Sequence, residues 1–548
     1  MNKWASLILF AILSSTIVKG QLPISPKPKD TIPAQASQVS PVLATGSKLI
    51  EFLSAEVYNV KKMDSMDYLI LVGHVKIRQG KTLLYGDSII LNTTLNTLED
   101  FGNVHINDAD SVNIYANYLK YIGSTKKAYL RKKVKLTDGK GVLTTDSLDY
   151  DVNVKLGSFK KGGKLVRNKT VLTSTEGLYY GETRDVIFRK KVELVDPENN
   201  IITDTLEYNT YSQLTNFLSP SKIITGSRVI STSNGNYNTG TRKGYLYDRS
   251  NIDDSTYHFI ADEMAVDDSL EMGEFKGNAI YTSKDTLGFD LMANNIKANK
   301  QKSTFLATEN PLLLIKQKKD TLYIAADTLY AGKISDLKRK IPKARDSVGV
   351  ITDTTLNKYF EAYHHVKIYS DSLQGRADSL FYSMSDSTIR LISDPIIWAN
   401  NNQITGDTLY LFVKNKKPEQ LFVFENAFAI NKIDTANYYN QLKGNKLNVW
   451  FEEGEIHKMS AKGNAENIYF PLDNDKDFIG VNHSNAQIIE VYFENTEPAK
   501  VVFKNQLVGK MTPLNQTPKE ELIIRGFKWQ ESLRPKSKYE LMKLPSKL

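Results

Sequence analysis

Apolar and polar residues alternate along most of this chain. In Gly102–Ile106 (GNVHI), Val104 and Ile106 fall on one side of an extended strand, and Asn103 and His105 fall on the other. Leu148 and Tyr150 likewise share a side opposite Ser147 and Asp149. The period is two rather than 3.6, which predicts strands with one apolar face each.

The pattern also repeats, in two halves. The first half places Val and then Ile or Leu behind a Gly, Lys or His. It gives Val75 and Ile77, Val104 and Ile106, Val134 and Leu136, and Val192 and Leu194, with a later copy at His364 to Ile368. Val75 to Val104 is 29 residues, Val104 to Val134 is 30, and Val134 to Val192 is 58, or two periods. The second half opens on Asp, Asn or Glu and places an aliphatic residue and usually Tyr at alternate positions. It gives Ile89 and Leu91, Leu119 and Tyr121, Leu148 and Tyr150, Leu178 and Tyr180, and Leu206 and Tyr208. Its opening residues, Asp87, Asn117, Asp146, Glu176 and Asp204, are 30, 29, 30 and 28 residues apart. Later copies begin at Asp262, Asp327, Asp378 and Asp407. A period of about 29 residues marks a stacked-repeat architecture, because one copy cannot bury its own apolar face and needs its neighbours to do so. The fold class expected is all-β.

Segment boundaries follow from breaks in this pattern. Residues 1–20 have Lys3, an apolar run from Leu7 to Val18, then Lys19 and Gly20, which reads as a signal peptide. Residues 21–47 carry Pro23, Pro26, Pro28, Pro33 and Pro41 and read as a linker. A first repeat array is expected over 48–332, a basic surface insertion over 333–355, a second array over 356–504 and a basic tail over 505–548. After the leader, no run of about 18 apolar residues predicts a transmembrane helix.

Composition narrows the chemistry. The 548 residues include no Cys, which excludes disulfides, thiolate metal sites and a Cys nucleophile. The net charge of +9 is spread over short basic clusters rather than one stripe, so nucleic acid is not an expected partner. Anionic lipid or glycan suits an exported protein better, and Lys blunting of strand edges is the plainer explanation. The repeated carboxylates are too regular for catalysis and are read as turn acceptors of backbone amides. His364 and His365 are adjacent on a strand and point apart, which makes a poor chelate. Neither a cofactor, a metal site nor an enzyme motif is predicted. The apolar faces leave two readings open, a closed core or a groove for acyl chains.

The strands "GHVKI" and "GNVHI", with "YGDSIILNTTLNTLEDFGNVHI" and "ANYLKYIGSTKKAYLRKKVKLTDGKGVLTTDSLDY" between and after them, resemble the OstA/LptA family of lipopolysaccharide-transport proteins. The likeness is clearest over residues 73–218. It implies an extended stacked β-jellyroll, open and V-shaped in section, that is not an enzyme. It further implies a role in lipopolysaccharide transport and outer-membrane biogenesis, with lipid A acyl chains held against the Val, Ile, Leu and Tyr positions named above. The partners implied are lipopolysaccharide and other transport proteins joined by strand-edge addition, in the periplasm and in association with the outer membrane. Lys132, Lys133, Lys190 and Lys191 are expected at the rim, facing lipid phosphates. The rival readings are an adhesive surface β-solenoid without lipid and a polysaccharide-cleaving β-helix, for which no unrepeated carboxylate cluster is found.

Overall fold

The computed structural model describes residues 49–542, apart from 110, 287, 317–320, 338–356, 415–416, 434–436 and 474–476. The segments expected to be a signal peptide and a linker, and most of the expected 333–355 insertion, lie outside the described residues. Forty strands are described, all the pairings given for them are antiparallel, and the helical content is confined to short 3-10 turns. The all-β stacked repeat expected from the period, and the jellyroll that the resemblance implies, are therefore what the chain forms. Contacts divide it into two compact units, one ending at Ile252 and the other starting at Asp253, with the 333–355 segment inside the latter.

In the first unit the long strands bend once at mid-length, where the ladder slips by a two-residue bulge. The slips fall between Val72 and Val75, Phe101 and Val104, Arg131 and Val134, and Arg189 and Val192. The bulge residues are left-handed: Gly73 and His74, Gly102 and Asn103, Lys132 and Lys133, Lys190 and Lys191. These are the Gly, Lys or His positions that open the first half of the sequence repeat. Gly is needed at 102, where φ is +82° and a Cβ would lie 2.7 Å from an Asp87 carboxylate oxygen. Stacked in register, the bends make a corner that separates two walls. The Val-x-Ile half of each repeat lies on the first wall and the Leu-x-Tyr half on the second.

The second unit uses the same device, with slips between Lys276 and Ala279, Tyr363 and Val366, Phe424 and Ala427, and Lys462 and Ala465. It adds a feature of its own at the end of the chain. Register pairs Gln403 with Ile430, Ile430 with Gln441, and Gln441 with Ile468, so these four share the outer face of the first wall. With Phe428, Phe470 and Val481 that face is apolar, and Ile524 of the C-terminal segment is buried in it. The segment runs across the strands as a strap. Gln441 donates to the Leu522 carbonyl at 2.9 Å and accepts from the Ile524 amide at 2.8 Å. Gln403 does the same for Lys528 and Gln530, both at 2.7 Å. Arg534 donates to Gln374 at 2.8 and 2.6 Å. Within the stretch read as a basic tail, residues 514–541 form an added layer on this wall.

Ile524→Ala should cost about 2–5 kcal/mol, as for other large-to-small changes in a packed core, and Leu507→Ala, at a side chain 56% exposed, should cost little. Chemical denaturation of the two variants checks this.

Candidate lipid slot between the walls

The first unit brings the two sequence halves face to face. On the first wall, Val75, Ile77, Val104, Ile106, Val134, Leu136, Val192 and Leu194 all point inward and are buried. On the second wall, Ile89, Leu91, Leu119, Tyr121, Leu148, Tyr150, Leu206 and Tyr208 are buried opposite them. Leu178 and Tyr180 are the exceptions. Both are half-buried on the outer face, and Gly177 and Tyr179 take the inward places. The adjacent Tyr179 and Tyr180 allow two alignments, and in a strand a slip of one residue turns every side chain to the other face. A longer comb settles the alignment. Tyr121, Tyr150, Tyr179, Tyr208 and Tyr237 are each 29 residues apart, and all five are buried.

These tyrosines reach the far rim of the opposite wall. The Tyr150 hydroxyl donates to an Asp108 carboxylate oxygen at 2.8 Å, and the Tyr121 hydroxyl donates to Gln79. Asn199 donates to the Tyr237 hydroxyl at 3.1 Å, and Gln79 donates to the Gly123 carbonyl at 3.0 Å. Burial, and after it the Asp108 charge, raises the Tyr150 phenol above its ordinary pKa, so it stays a neutral donor. At these layers the mouth between the walls is closed by side-chain hydrogen bonds. The two readings of the apolar face are thus related: the walls meet as a core, and their seam is polar.

One interior group is not apolar. Asp100 is fully buried on the second wall just before the corner, and its carboxyl oxygens have no hydrogen-bond partner. Gly86 leaves it room, since a Cβ there would fall 1.9 Å from an Asp100 oxygen. Burial, reinforced by the charge of Asp87, pushes the carboxyl up to about 8.

The repeated carboxylates serve the corner. Asn103 donates to Asp87 at 2.8 Å, Asn278 to Asp262 at 2.9 Å, and Asn426 to Asp407 at 3.1 Å. His364 meets Asp378 at 3.1 Å while His365 meets Asp327 at 2.8 Å, so the two imidazoles have separate partners. The strand-entry acids therefore accept from bulge side chains, whereas acids in the hairpins, such as Asp138 and Asp196, accept backbone amides. Among the described residues no group of three or more His, Asp or Glu could hold a metal ion. Nor is any helix there long and apolar enough to cross a membrane.

Lys132, Lys133, Lys190 and Lys191 are exposed at the corner, not at the mouth, and Lys190 pairs with Glu176 at 2.9 Å. The sequence places them directly before an inward Val, which fixes them to the bulge. Cations in the hairpins stand at the mouth instead, among them Lys140 and Arg184, which both lie over the exposed Tyr211 ring, at 5.9 and 5.4 Å.

The architecture is a β-jellyroll of two facing walls with an apolar slot between them. Residues 47–204 and 190–262 match the model of the OstA-like protein family, so the resemblance read from the sequence is borne out over this part of the chain. A crystal structure from Pseudomonas aeruginosa is also similar: LptH, described as the LptA homologous periplasmic component of the conserved lipopolysaccharide transport device. It aligns at 17% identity over 20% of this chain and 83% of that one, with a TM-score of 0.19. No curated protein matches the chain.

Asp100→Asn tests the buried acid. The unfolded carboxyl titrates near about 4, so between that pH and about 8 only the unfolded state ionises, and stability falls as the pH rises. Thermal melts should show the variant more stable than the parent at pH 9, with the gap closing towards pH 4. A gap that is independent of pH would disconnect the titration from folding.

Proposed function

We propose that the first unit is a non-enzymatic conduit for an acylated, anionic lipid, of the lipopolysaccharide class, in the periplasm. The observation that carries this reading is an apolar interior, repeated every 29 residues, whose two rims are tied by side-chain hydrogen bonds. Each such bond contributes only about 1 kcal/mol net. Parting the rims is therefore affordable if acyl chains take over the apolar surface that opening exposes. The OstA-like match over residues 47–262 supports the lipopolysaccharide class.

The mouth suits such a cargo at its edge as well. Lys140 and Arg184 would meet phosphate or other anionic groups of the head, while the chains lie between the walls. A partner strand could add at Val57–Met63, which pairs along one edge with Met66–Gln79 and exposes Val57, Tyr58 and Val60. An adhesive solenoid would not need a polar seam over a continuous apolar slot.

Because Leu148 is fully buried in the closed form, an Asp there would unfold the wall before it reported on lipid. A lock across the mouth is the better test. A Cβ built on Gly141, on the first wall, lies 3.6 Å from the Thr210 Cβ on the second, within the range a disulfide needs. The native chain has no Cys, so Gly141→Cys with Thr210→Cys gives one defined crosslink. Lipid mass spectrometry on protein purified without detergent should find lipid A species with the reduced double variant and little with one oxidised before loading. Equal loading of the two forms would rule out entry through this mouth.

A further inference from the structure

The second unit closes its slot differently. Its first wall carries four inward asparagines near the mouth. Asn402 pairs with Asn431 across the ladder, Asn431 with Asn440, and Asn467 faces Leu442 on the next strand. In the first unit, Gln79, Asp108 and Asn199 on this wall each hydrogen-bond to a tyrosine hydroxyl. Here Ile489 and Val491 occupy the places that Leu148 and Tyr150 hold there, two positions apart beyond the corner. The opposite wall therefore offers Val491, Met459 and Phe493, none of which can hydrogen-bond to an amide.

Three amide atoms are left buried without partners: Asn402 Oδ1, Asn431 Nδ2 and Asn467 Nδ2. Their residues are 2%, 6% and 3% exposed. Backbone groups fix the orientation of two of them. Asn402 Nδ2 donates to the Ala399 carbonyl at 3.3 Å, which leaves its oxygen free as an acceptor. The Phe470 amide donates to Asn440 Oδ1 at 3.0 Å, so Asn440 Nδ2 must be the donor to Asn431 Oδ1, also at 3.0 Å. Asn431 Nδ2 is therefore a free donor. All four asparagines line one cavity of about 30 Å³, together with Met459, Val491 and Phe493.

We infer that this cavity is a binding site for the amide linkage of an N-acylated amphiphile. The linkage N–H would donate to Asn402 Oδ1, its carbonyl would accept from Asn431 and Asn467, and the acyl chain would pass along Met459 and Phe493 into the slot. The chemistry follows from the free valences. The acceptor Asn402 Oδ1 beside the donor Asn431 Nδ2, both fixed in orientation, complements a secondary amide, whereas an ester leaves Asn402 Oδ1 unmatched, and a buried unmatched acceptor is costly. This inference rests on the conduit reading and adds to it a specificity for how the chain is attached.

The test uses the full chain and three uncharged probes of equal chain length, each kept below its solubility limit: N-methyldodecanamide, methyl dodecanoate and dodecanol. Calorimetric titration should show the amide binding about tenfold more tightly than the ester. Asn402→Leu should bring the two within about twofold and leave the ester unchanged, whereas Asn467→Leu, which removes a donor to the carbonyl that both probes share, should weaken both and keep the ratio between them. Val491→Tyr offers a second check, since it returns a hydroxyl to the opposite wall and should exclude the amide. Equal affinities for amide and ester in the parent would overturn the asparagine site and leave the conduit standing. If none of the probes binds while lipid still co-purifies with the chain, the site likewise falls and the conduit stands. Failure of both the probes and co-purification removes both. A crystal structure grown with the amide that shows water alone in the cavity also overturns the site.

Discussion

The structure depends on one constraint: a strand paired along both edges still has an apolar face that water would cover. No single repeat can hide that face. The chain solves this by bending its long strands in the middle, so that the two halves of one repeat turn their apolar faces towards each other. The two-residue bulge is the device that makes the bend. It holds non-glycine residues such as Lys132, Lys133, His364 and His365 in the left-handed region, a conformation that costs about 1–2 kcal/mol per residue. That cost recurs at many layers, and the burial of residues such as Val134 and Leu148 on either side offsets it.

The corner also accounts for the polar residues that look most like chemistry. Asp87, Asp262 and Asp407 are spaced as a ladder of carboxylates, yet each is engaged by the asparagine of a bulge. The side-chain bond ties the start of one half-strand to the bend of its neighbour. His364 and His365 do the same work with Asp378 and Asp327. Away from the corner, the seam at the mouth is where the two units differ. Tyrosine hydroxyls close it in the first unit, and in the second the opposing side chains are those of Val491, Met459 and Phe493, leaving asparagine amides unmatched. The second unit instead covers the outside of its first wall with the C-terminal strap. That wall is consequently buried on both faces, as Ala429 and Ile430 show.

The sequence by itself determined the period, the fold class and most of the slot. Alternation fixes which residues share a face, and a 29-residue spacing fixes which copies stack, so Val104, Ile106, Leu148 and Tyr150 were legible as inward positions. The short motif did not decide between Tyr179 and Tyr180, since two neighbouring tyrosines satisfy it; the 29-residue comb selects Tyr179, and strand pairing turns that residue inward. The sequence could not place Lys132 and Lys190, because their position relative to the mouth depends on where the strand bends. Tertiary structure alone decided that the rims touch, that residues 514–541 fold back onto the outer wall, and that Asp100 is sealed inside. Each of these is a contact between residues tens of positions apart, set by how layers stack across a slot, and local alternation carries no information about what lies opposite.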